Sequence, residues 1–319
     1  MPEESKATPG TDFAGPSAVR GSPPGHRSGF VALFGPPNSG KSTLLNALLG
    51  AKVAITSPVP QTTRSPLRGV LTLPHAQLVF VDTPGLHRPR HKLGEHMVRG
   101  ARKVLEDVDL ALLVLDGART PGEEAEEAAK AAQAVRVPLL VGLNKQDLAS
   151  EESLQTWRRW LAERVRPEEV LALSALRGDG LDQLVEALVR RLPEGPSYFS
   201  PDDLTDQPLQ ALVREIIREK AMELTREEVP HAIAVELEEF RKAPDRDVTY
   251  IRATLHVERA SQKKILVGAG GRVIREIGRR ARPEVEAWLG GPVYLDLWVK
   301  VTEDWRRKDG FLRRLYPHG

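Results

Sequence analysis

The chain of 319 residues contains no cysteine, three methionines and three asparagines, Asn38, Asn46 and Asn144. Without cysteine there is no disulfide scaffold, no thiolate zinc site, no iron–sulfur cluster and no thiol nucleophile. Lysine is scarce as well, since arginine supplies 33 of the 46 basic residues. Few amides and sulfur side chains fit a protein that works hot, and an arginine-favouring base composition would leave the same bias. No stretch reaches the roughly 20 apolar residues needed to span a bilayer. The longest, Leu110–Leu115 and Val137–Leu143, are of strand length. Residues 1–28 mix Pro, Gly, Ser and Thr with scattered charges and lack the apolar core of a signal peptide, so a disordered tail on a cytoplasmic protein is expected there.

With 40% hydrophobic and 28% charged residues, the chain is long enough for two domains with separate cores. From residue 29 to 192, short β-rich runs alternate with helical patterns, which predicts an α/β doubly wound domain. Strands are expected near Phe30–Phe34, Leu67–Leu73, Leu78–Val81, Leu110–Asp116, Leu139–Asn144 and Val170–Ser174, with helices between them. Residues 193–207, rich in proline, read as a flexible linker. Residues 208–303 change pattern to helix, two strands, helix, glycine loop, helix and strand, a smaller α+β unit, and residues 304–319 read as a C-terminal tail.

Directly after the first apolar strand stands Gly35, Pro36, Pro37, Asn38, Ser39, Gly40, Lys41, Ser42, followed by Thr43 at a helix start. This fits the phosphate-binding pattern GxxxxGK[ST] in the context that pattern requires. The glycines let successive N–H groups face phosphate oxygens, Lys41 neutralises β and γ charge, and the Ser42 hydroxyl suits Mg2+. Asp82, Thr83, Pro84 and Gly85 follow another apolar strand, so Asp82 faces the phosphates and can hold Mg2+ through a water, while the Gly85 N–H can meet the γ-phosphate. Asn144, Lys145 and Asp147 end a further strand, and Ser174, Ala175 and Leu176 end the last. The Asp147 carboxylate can accept two N–H bonds from the guanine edge, where adenine has no donors; this favours GTP over ATP. Asn144 suits bracing the loop and reaching N7, Lys145 can lie along the base, and the Ala175 N–H can meet O6.

The second unit carries what a net charge of +2 conceals: residues 259–282 hold eight basic side chains against Glu276 alone. Such a patch fits a polyanion. Within it, Gly268, Ala269, Gly270 and Gly271 lie between two helical patterns, flanked by Lys263, Lys264, Arg272, Arg275 and Arg279. A helix–GxxG–helix lets backbone approach nucleic-acid phosphates while the flanking helix and strand form a groove for about four unpaired nucleotides. Trp298 reads first as packed in its strand and only second as a base-stacking group, and no row of exposed aromatics is expected. His87, His91 and His96, interleaved with Arg88, Arg90 and Lys92, read as a solvated basic loop rather than a metal cluster.

The four nucleotide motifs, in this order, resemble those of the translation-factor-related GTPases. That resemblance implies a mobile loop supplying a threonine to Mg2+; Gln61-Thr62-Thr63-Arg64 is the candidate, with Thr63 preferred and Thr62 the alternative. It also marks Lys41, Asn38, Thr63 and Gly85 as the catalytic set. Leu86 stands where many small GTPases carry a water-orienting glutamine, so slow intrinsic turnover is expected. In GTPases with a similar substitution, an asparagine at the position of Asn38 helps hold K+ beside the phosphates, which makes K+ a second candidate ion. Over residues 29–303 the chain resembles the Era family. Its signals are Gln61–Arg64, Asp82–Leu86, Lys264–Arg272 and Leu297-Trp-Val-Lys-Val301. The resemblance implies a type II KH domain, 16S rRNA near its 3′ end and the small ribosomal subunit as partners, a monomer cycling between GTP and GDP, and peripheral association with the inner face of the membrane. Two alternatives stand beside it: a tRNA-modification-type GTPase, and an RNA-binding assembly protein for which GTP is only a structural ligand.

Overall fold

The run Leu110–Leu115 lacks polar alternation because both its faces are covered. In the computed structural model, which describes residues 23–60, 62–87, 89, 91–243 and 247–316, every residue of that run is buried at the centre of a six-stranded sheet. The first unit follows the order β1 (Arg27–Phe34), α1 (Lys41–Leu49), β2 (Leu67–Leu73), β3 (Ala76–Asp82), α2 (Lys92–Glu106) and β4 (Leu110–Asp116). It continues with α3 (Glu123–Gln133), β5 (Leu139–Asn144), α4 (Glu151–Arg164), β6 (Glu169–Ala172) and α5 (Leu181–Val189). The strand order is β2-β3-β1-β4-β5-β6, parallel except for β2 at the edge, which runs antiparallel to β3. Apolar layers cover both faces: Leu44, Leu45, Leu184 and Leu188 on one, Ala128, Trp157 and Leu161 on the other. The order reverses at β1, and the carboxyl ends of β1, β3, β4, β5 and β6 open onto one edge, which is where ligands sit in open α/β sheets.

The second unit comprises α6 (Leu209–Glu223), the single turn α7 (Val229–Ala232), β7 (Ala234–Lys242), β8 (Thr249–Val257), α8 (Ala260–Val267), α9 (Arg272–Leu289) and β9 (Val293–Val301). Its sheet is ordered β7-β8-β9, with β8 parallel to β9. Alternate residues Ile251, Ala253, Leu255 and Val257 turn inward onto Ile216, Ile217, Ile277 and Val285 of the helices. The architecture is thus an α/β domain followed by a smaller α+β domain.

Four expectations are revised. Arg27 and Ser28, placed in the N-terminal tail, belong to β1; residues 1–22 of that tail lie outside the described residues. The proline-rich stretch after residue 192 is tied down along the first sheet. Gln77 Oε1 accepts from Tyr198 N (2.7 Å) and Phe199 N (3.0 Å), and the Leu204 carbonyl accepts from Val70 N at 2.9 Å. Residues 304–316, read as a tail, instead form a 3-10 turn and α10 (Asp309–Leu315). Their Trp305, Leu312, Leu315 and Tyr316 are buried against Leu93 and Met97 of α2 and Ala234 of β7. Trp298, read as packed, is 60% exposed, and Tyr294 on the same face of β9 is 56% exposed, so exposed aromatics do lie along this edge strand. Among the described residues no helix is long and apolar enough to cross a membrane.

Candidate functional site

The loop after β1 turns sharply to start α1, and its backbone requires glycine. Gly40 has φ 94°, and a Cβ there would lie 2.2 Å from Asn144 Nδ2. The α1 N-terminus therefore lines the cleft with no side-chain cap from Gly40, which suits an anion there. Lys41 is buried, its Nζ donating to the Gly35 carbonyl at 3.3 Å and the Pro36 carbonyl at 2.8 Å, which hold it along the loop. Burial pushes its pKa from 10.5 down to about 8, against the pull of Asp82. Asp82 is buried too, and desolvation raises its pKa although Lys41, Ser42 and Thr63 all favour the carboxylate.

Three oxygens converge beside Lys41. Ser42 Oγ donates to Asp82 Oδ2 at 2.6 Å, Thr63 Oγ1 donates to the same oxygen at 3.2 Å, and the two hydroxyls are 2.9 Å apart. Asp82 Oδ1 is buried without a hydrogen-bond partner among the described residues. One carboxylate with two hydroxyls and a spare buried oxygen is a hard donor set that fits Mg2+ and not a softer ion. Thr62 is turned away, its Oγ1 donating to the Val59 carbonyl at 2.7 Å; Gln61 lies outside the described residues. A cleft of about 60 Å3 is lined by Pro37, Asn38, Gly40, Lys41, Ser42, Thr43, Thr62, Thr63 and Gly85. Asn38, at φ 59°, extends Nδ2 to the Pro58 carbonyl at 3.2 Å, so it bridges the phosphate loop and the loop carrying Thr63.

Thr83 is fixed by its N–H and hydroxyl on the Leu33 carbonyl, at 3.1 and 2.8 Å. The Gly35 carbonyl accepts from Leu86 N at 3.0 Å, which draws Pro84 and Gly85 against the phosphate loop. Leu86 is 3% exposed and packs in the core under β4, away from the cleft. Of the histidines nearby, His87 and His91 have local partners, whereas His96 Nδ1 has no hydrogen-bond partner among the described residues. His87 Nδ1 meets the Gly85 carbonyl at 2.8 Å, and His91 Nδ1 accepts from Gly94 N at 3.1 Å to cap α2, while His96 is buried. Arg88 and Arg90 lie outside the described residues.

At the base end, Asn144 is buried and bonded twice. Its Nδ2 donates to the Ser39 carbonyl at 2.9 Å, and its Oδ1 accepts from Ala175 N at 2.9 Å. One side chain thereby joins the phosphate loop to the loop after β6, and it takes the Ala175 N–H that was expected to meet O6. Ser174 Oγ donates to Asp147 Oδ1 at 2.6 Å and presets the carboxylate, while Leu176 is exposed at the loop tip. Lys145 takes a left-handed φ of 64°, which turns Nζ back to the Asn38 carbonyl (2.8 Å) and Asp116 Oδ2 (2.7 Å). Asp116 escaped the sequence reading; its signal was an acid at the carboxyl end of an otherwise apolar strand.

In the second unit, α8 ends at Val267, Gly268 leaves it at φ 71°, and Gly271 starts α9. A Cβ on Gly268 would fall 2.5 Å from Val273 Cγ2, which explains glycine at the turn. Lys263, Lys264, Ala269, Gly270, Arg272 and Arg275 are exposed around the loop, with Ile265 exposed beside them. Arg279 is exposed but carries a 2.7 Å ion pair to Glu276, which Arg280 shares. The sequence reading also passed over Gln262, whose buried Oε1 accepts from Glu258 N and Arg259 N and fixes the start of α8.

Two family models match the chain, one described as a 50S ribosome-binding GTPase over residues 30–145 and one as a KH domain over residues 228–306. The chain is 47% identical over 290 residues to GTPase Era of Halothermothrix orenii, covering 91% of this chain and 98% of that one. It is 44% identical over 288 residues to GTPase Era of Carboxydothermus hydrogenoformans, covering 90% and 97%. Two solved structures are each 41% identical and cover 92% of this chain and 99% of theirs. One is a point variant of Aquifex aeolicus Era bound to GDP.AlF4-, at a TM-score of 0.87. The other is Era in complex with MgGDPNP and nucleotides 1506–1542 of 16S ribosomal RNA, at 0.88.

Proposed function

Since the chain belongs to the Era family of GTPases, we propose that it is a GTP-hydrolysing switch that binds 16S rRNA near its 3′ end through its KH domain and assists maturation of the small ribosomal subunit in the cytoplasm. The observation that carries the reading is the convergence of Ser42, Thr63 and Asp82 beside Lys41 at the same sheet edge as the Asn144–Asp147 base loop.

In this reading Asp147, preset by Ser174, accepts the guanine N–H pair, and Asn144 sets the distance between base and phosphate loops. The Gly35–Ser42 loop wraps the phosphates with its N–H groups, and Lys41 is held protonated by the anion it faces. Ser42, Thr63 and Asp82 would hold Mg2+, which supplies charge neutralisation on the β- and γ-phosphates. Leu86 offers no hydrogen bond to the attacking water, so backbone, another side chain or a partner has to place it, and unassisted turnover is slow. Asn38, which bridges to Pro58, would help hold K+ near the phosphates. The exposed GxxG loop brings Gly268–Gly271 backbone to RNA phosphates, while Lys263, Lys264, Arg272, Arg275 and Arg279 supply charge and Ile265 an apolar wall.

Phosphate release from GTP, abolished by Lys41→Ala, tests the enzyme against a passive RNA binder. Equal hydrolysis in K+ and Na+ at constant ionic strength would remove K+ from the account. RNA affinity that is identical with GDP and with a non-hydrolysable GTP analogue would remove the switch.

A further inference from the structure

The loop that carries Thr63 is held on both sides of that residue by groups from outside the GTPase unit. On one side, Arg218 of α6 donates through Nη2 to the Thr62 carbonyl. Arg218 is fully buried, and Glu215 fixes it from the preceding turn, with Arg218 Nε 3.1 Å from Glu215 Oε2. On the other side, the Arg64 guanidinium is buried in a cage built by the second unit and the C-terminal segment packed on it. It donates to the Ile233 carbonyl (2.6 Å), the Tyr316 hydroxyl (3.0 Å) and the His231 carbonyl (3.1 Å), and its carbon lies 5.5 Å from the Trp305 ring centre. Upstream, Thr56 N donates to Glu219 Oε1 of α6 at 2.9 Å.

Packing does not immobilise this loop alone, because a cavity of about 50 Å3 lies behind it, lined in part by Thr63, Asp82, Leu212 and Glu215. The polar anchors on residues 62 and 64 are what define the backbone at residue 63. We infer that Arg218 and Arg64 are positioning residues for the GTPase reaction, holding the loop from the second unit so that the Thr63 hydroxyl faces Ser42 and Asp82. The phosphate loop and the base loops lie wholly within the first unit, so GDP binding is indifferent to these anchors. Hydrolysis, which needs Thr63 in place, is not. The inference rests on the reading of Ser42, Thr63 and Asp82 as the reacting end of the site.

The test uses the full chain with Arg218→Met, Arg218→Lys and Tyr316→Phe, the last removing one acceptor from Arg64 while keeping the ring. Phosphate release is measured against GTP and Mg2+ concentration, GDP affinity by fluorescence titration, and folding by thermal unfolding. Loss of a charge-assisted bond that orients a reacting group is expected to lower kcat roughly tenfold or more in Arg218→Met, and to raise the Mg2+ concentration needed for half-maximal rate. GDP affinity should stay within about twofold, Arg218→Lys should recover part of the rate, and Tyr316→Phe should show a smaller fall in the same direction. Unchanged kcat in folded variants overturns the inference, as does a loss of GDP affinity that parallels the loss of rate. If Arg218→Met fails to fold, Tyr316→Phe decides by the same criteria. A parent chain that releases no phosphate from GTP would instead overturn the functional reading itself.

Discussion

Asn144→Ala removes a side chain that is 2% exposed and bonded at both ends, to the Ser39 carbonyl and from the Ala175 N–H, each at 2.9 Å. Removing it strands two buried backbone groups, the Ser39 carbonyl and the Ala175 N–H, at about 1–3 kcal/mol each, so the loss is about 2–6 kcal/mol. It divides between fold and ligand, because the two loops that Asn144 joins carry opposite ends of the nucleotide. If half falls on binding, GDP affinity drops roughly 5- to 150-fold, at about 1.4 kcal/mol per tenfold. The assay is titration with fluorescent GDP alongside urea unfolding of the same preparation. Asn144→Asp sharpens it: the acceptor for Ala175 N–H survives, but a carboxylate oxygen replaces the donor facing the Ser39 carbonyl. That variant, almost unchanged in shape, should be as damaging as alanine. Should Asn144→Ala leave unfolding within about 0.5 kcal/mol and GDP affinity within about twofold, the side chain does not brace the loops and the reasoning is refuted.

A Cβ on Gly85 would lie 2.9 Å from both Cα and N of Pro37, so Gly85→Ala must push two loops apart. Phosphate release should fall more than about tenfold, and a rate near wild type would show that the loops part freely. Burial holds Lys41 at about 8, and a bound phosphate raises it again, so binding takes up a proton above that pH. GDP affinity should therefore be level below about pH 8 and fall by up to about tenfold per unit above it; a flat profile to about pH 9.5 would contradict the burial argument. Trp305 is fully buried, and Trp305→Ala should cost about 3–5 kcal/mol in urea unfolding. Trp298→Ala, at a side chain 60% exposed, should change unfolding by less than about 0.5 kcal/mol. Similar costs for the two would mean that the C-terminal segment is not part of the core.

The parts of the molecule written in one segment were legible. Apolar runs set the bounds of β2, β4, β5 and β9, and Gly271 and Gly290 bracket α9 at the residues where its periodicity begins and ends. The phosphate and base loops were legible because each follows a strand directly and carries its own chemistry. What was not legible depends on pairs far apart in the chain. Nothing local in Gln61–Arg64 says that Arg64 is buried, since its acceptors are carbonyls at 231 and 233 and a hydroxyl at 316. Likewise the proline-rich segment looks free until Gln77, buried at the start of β3, receives it. Trp298 is a different failure: Tyr294, Asp296, Trp298 and Lys300 alternate outward along β9, and that period of two was present to be read. The single turn Val229–Ala232 is too short to leave any periodicity.

The cage around Arg64 also has a bearing on how the protein comes into being. Arg64 and Tyr316 are 252 positions apart, and a chain is made from its amino end. Domains fold as they emerge, so the first unit is expected to close around its sheet before the residues of the cage have been synthesised. During that interval the Thr63 loop has neither Arg218 nor Tyr316 to hold it, although every residue of the phosphate and base loops is already present. The newborn protein would thus pass through a stage at which it can take up guanine nucleotide before it can turn it over, and full competence waits until Tyr316 has been made.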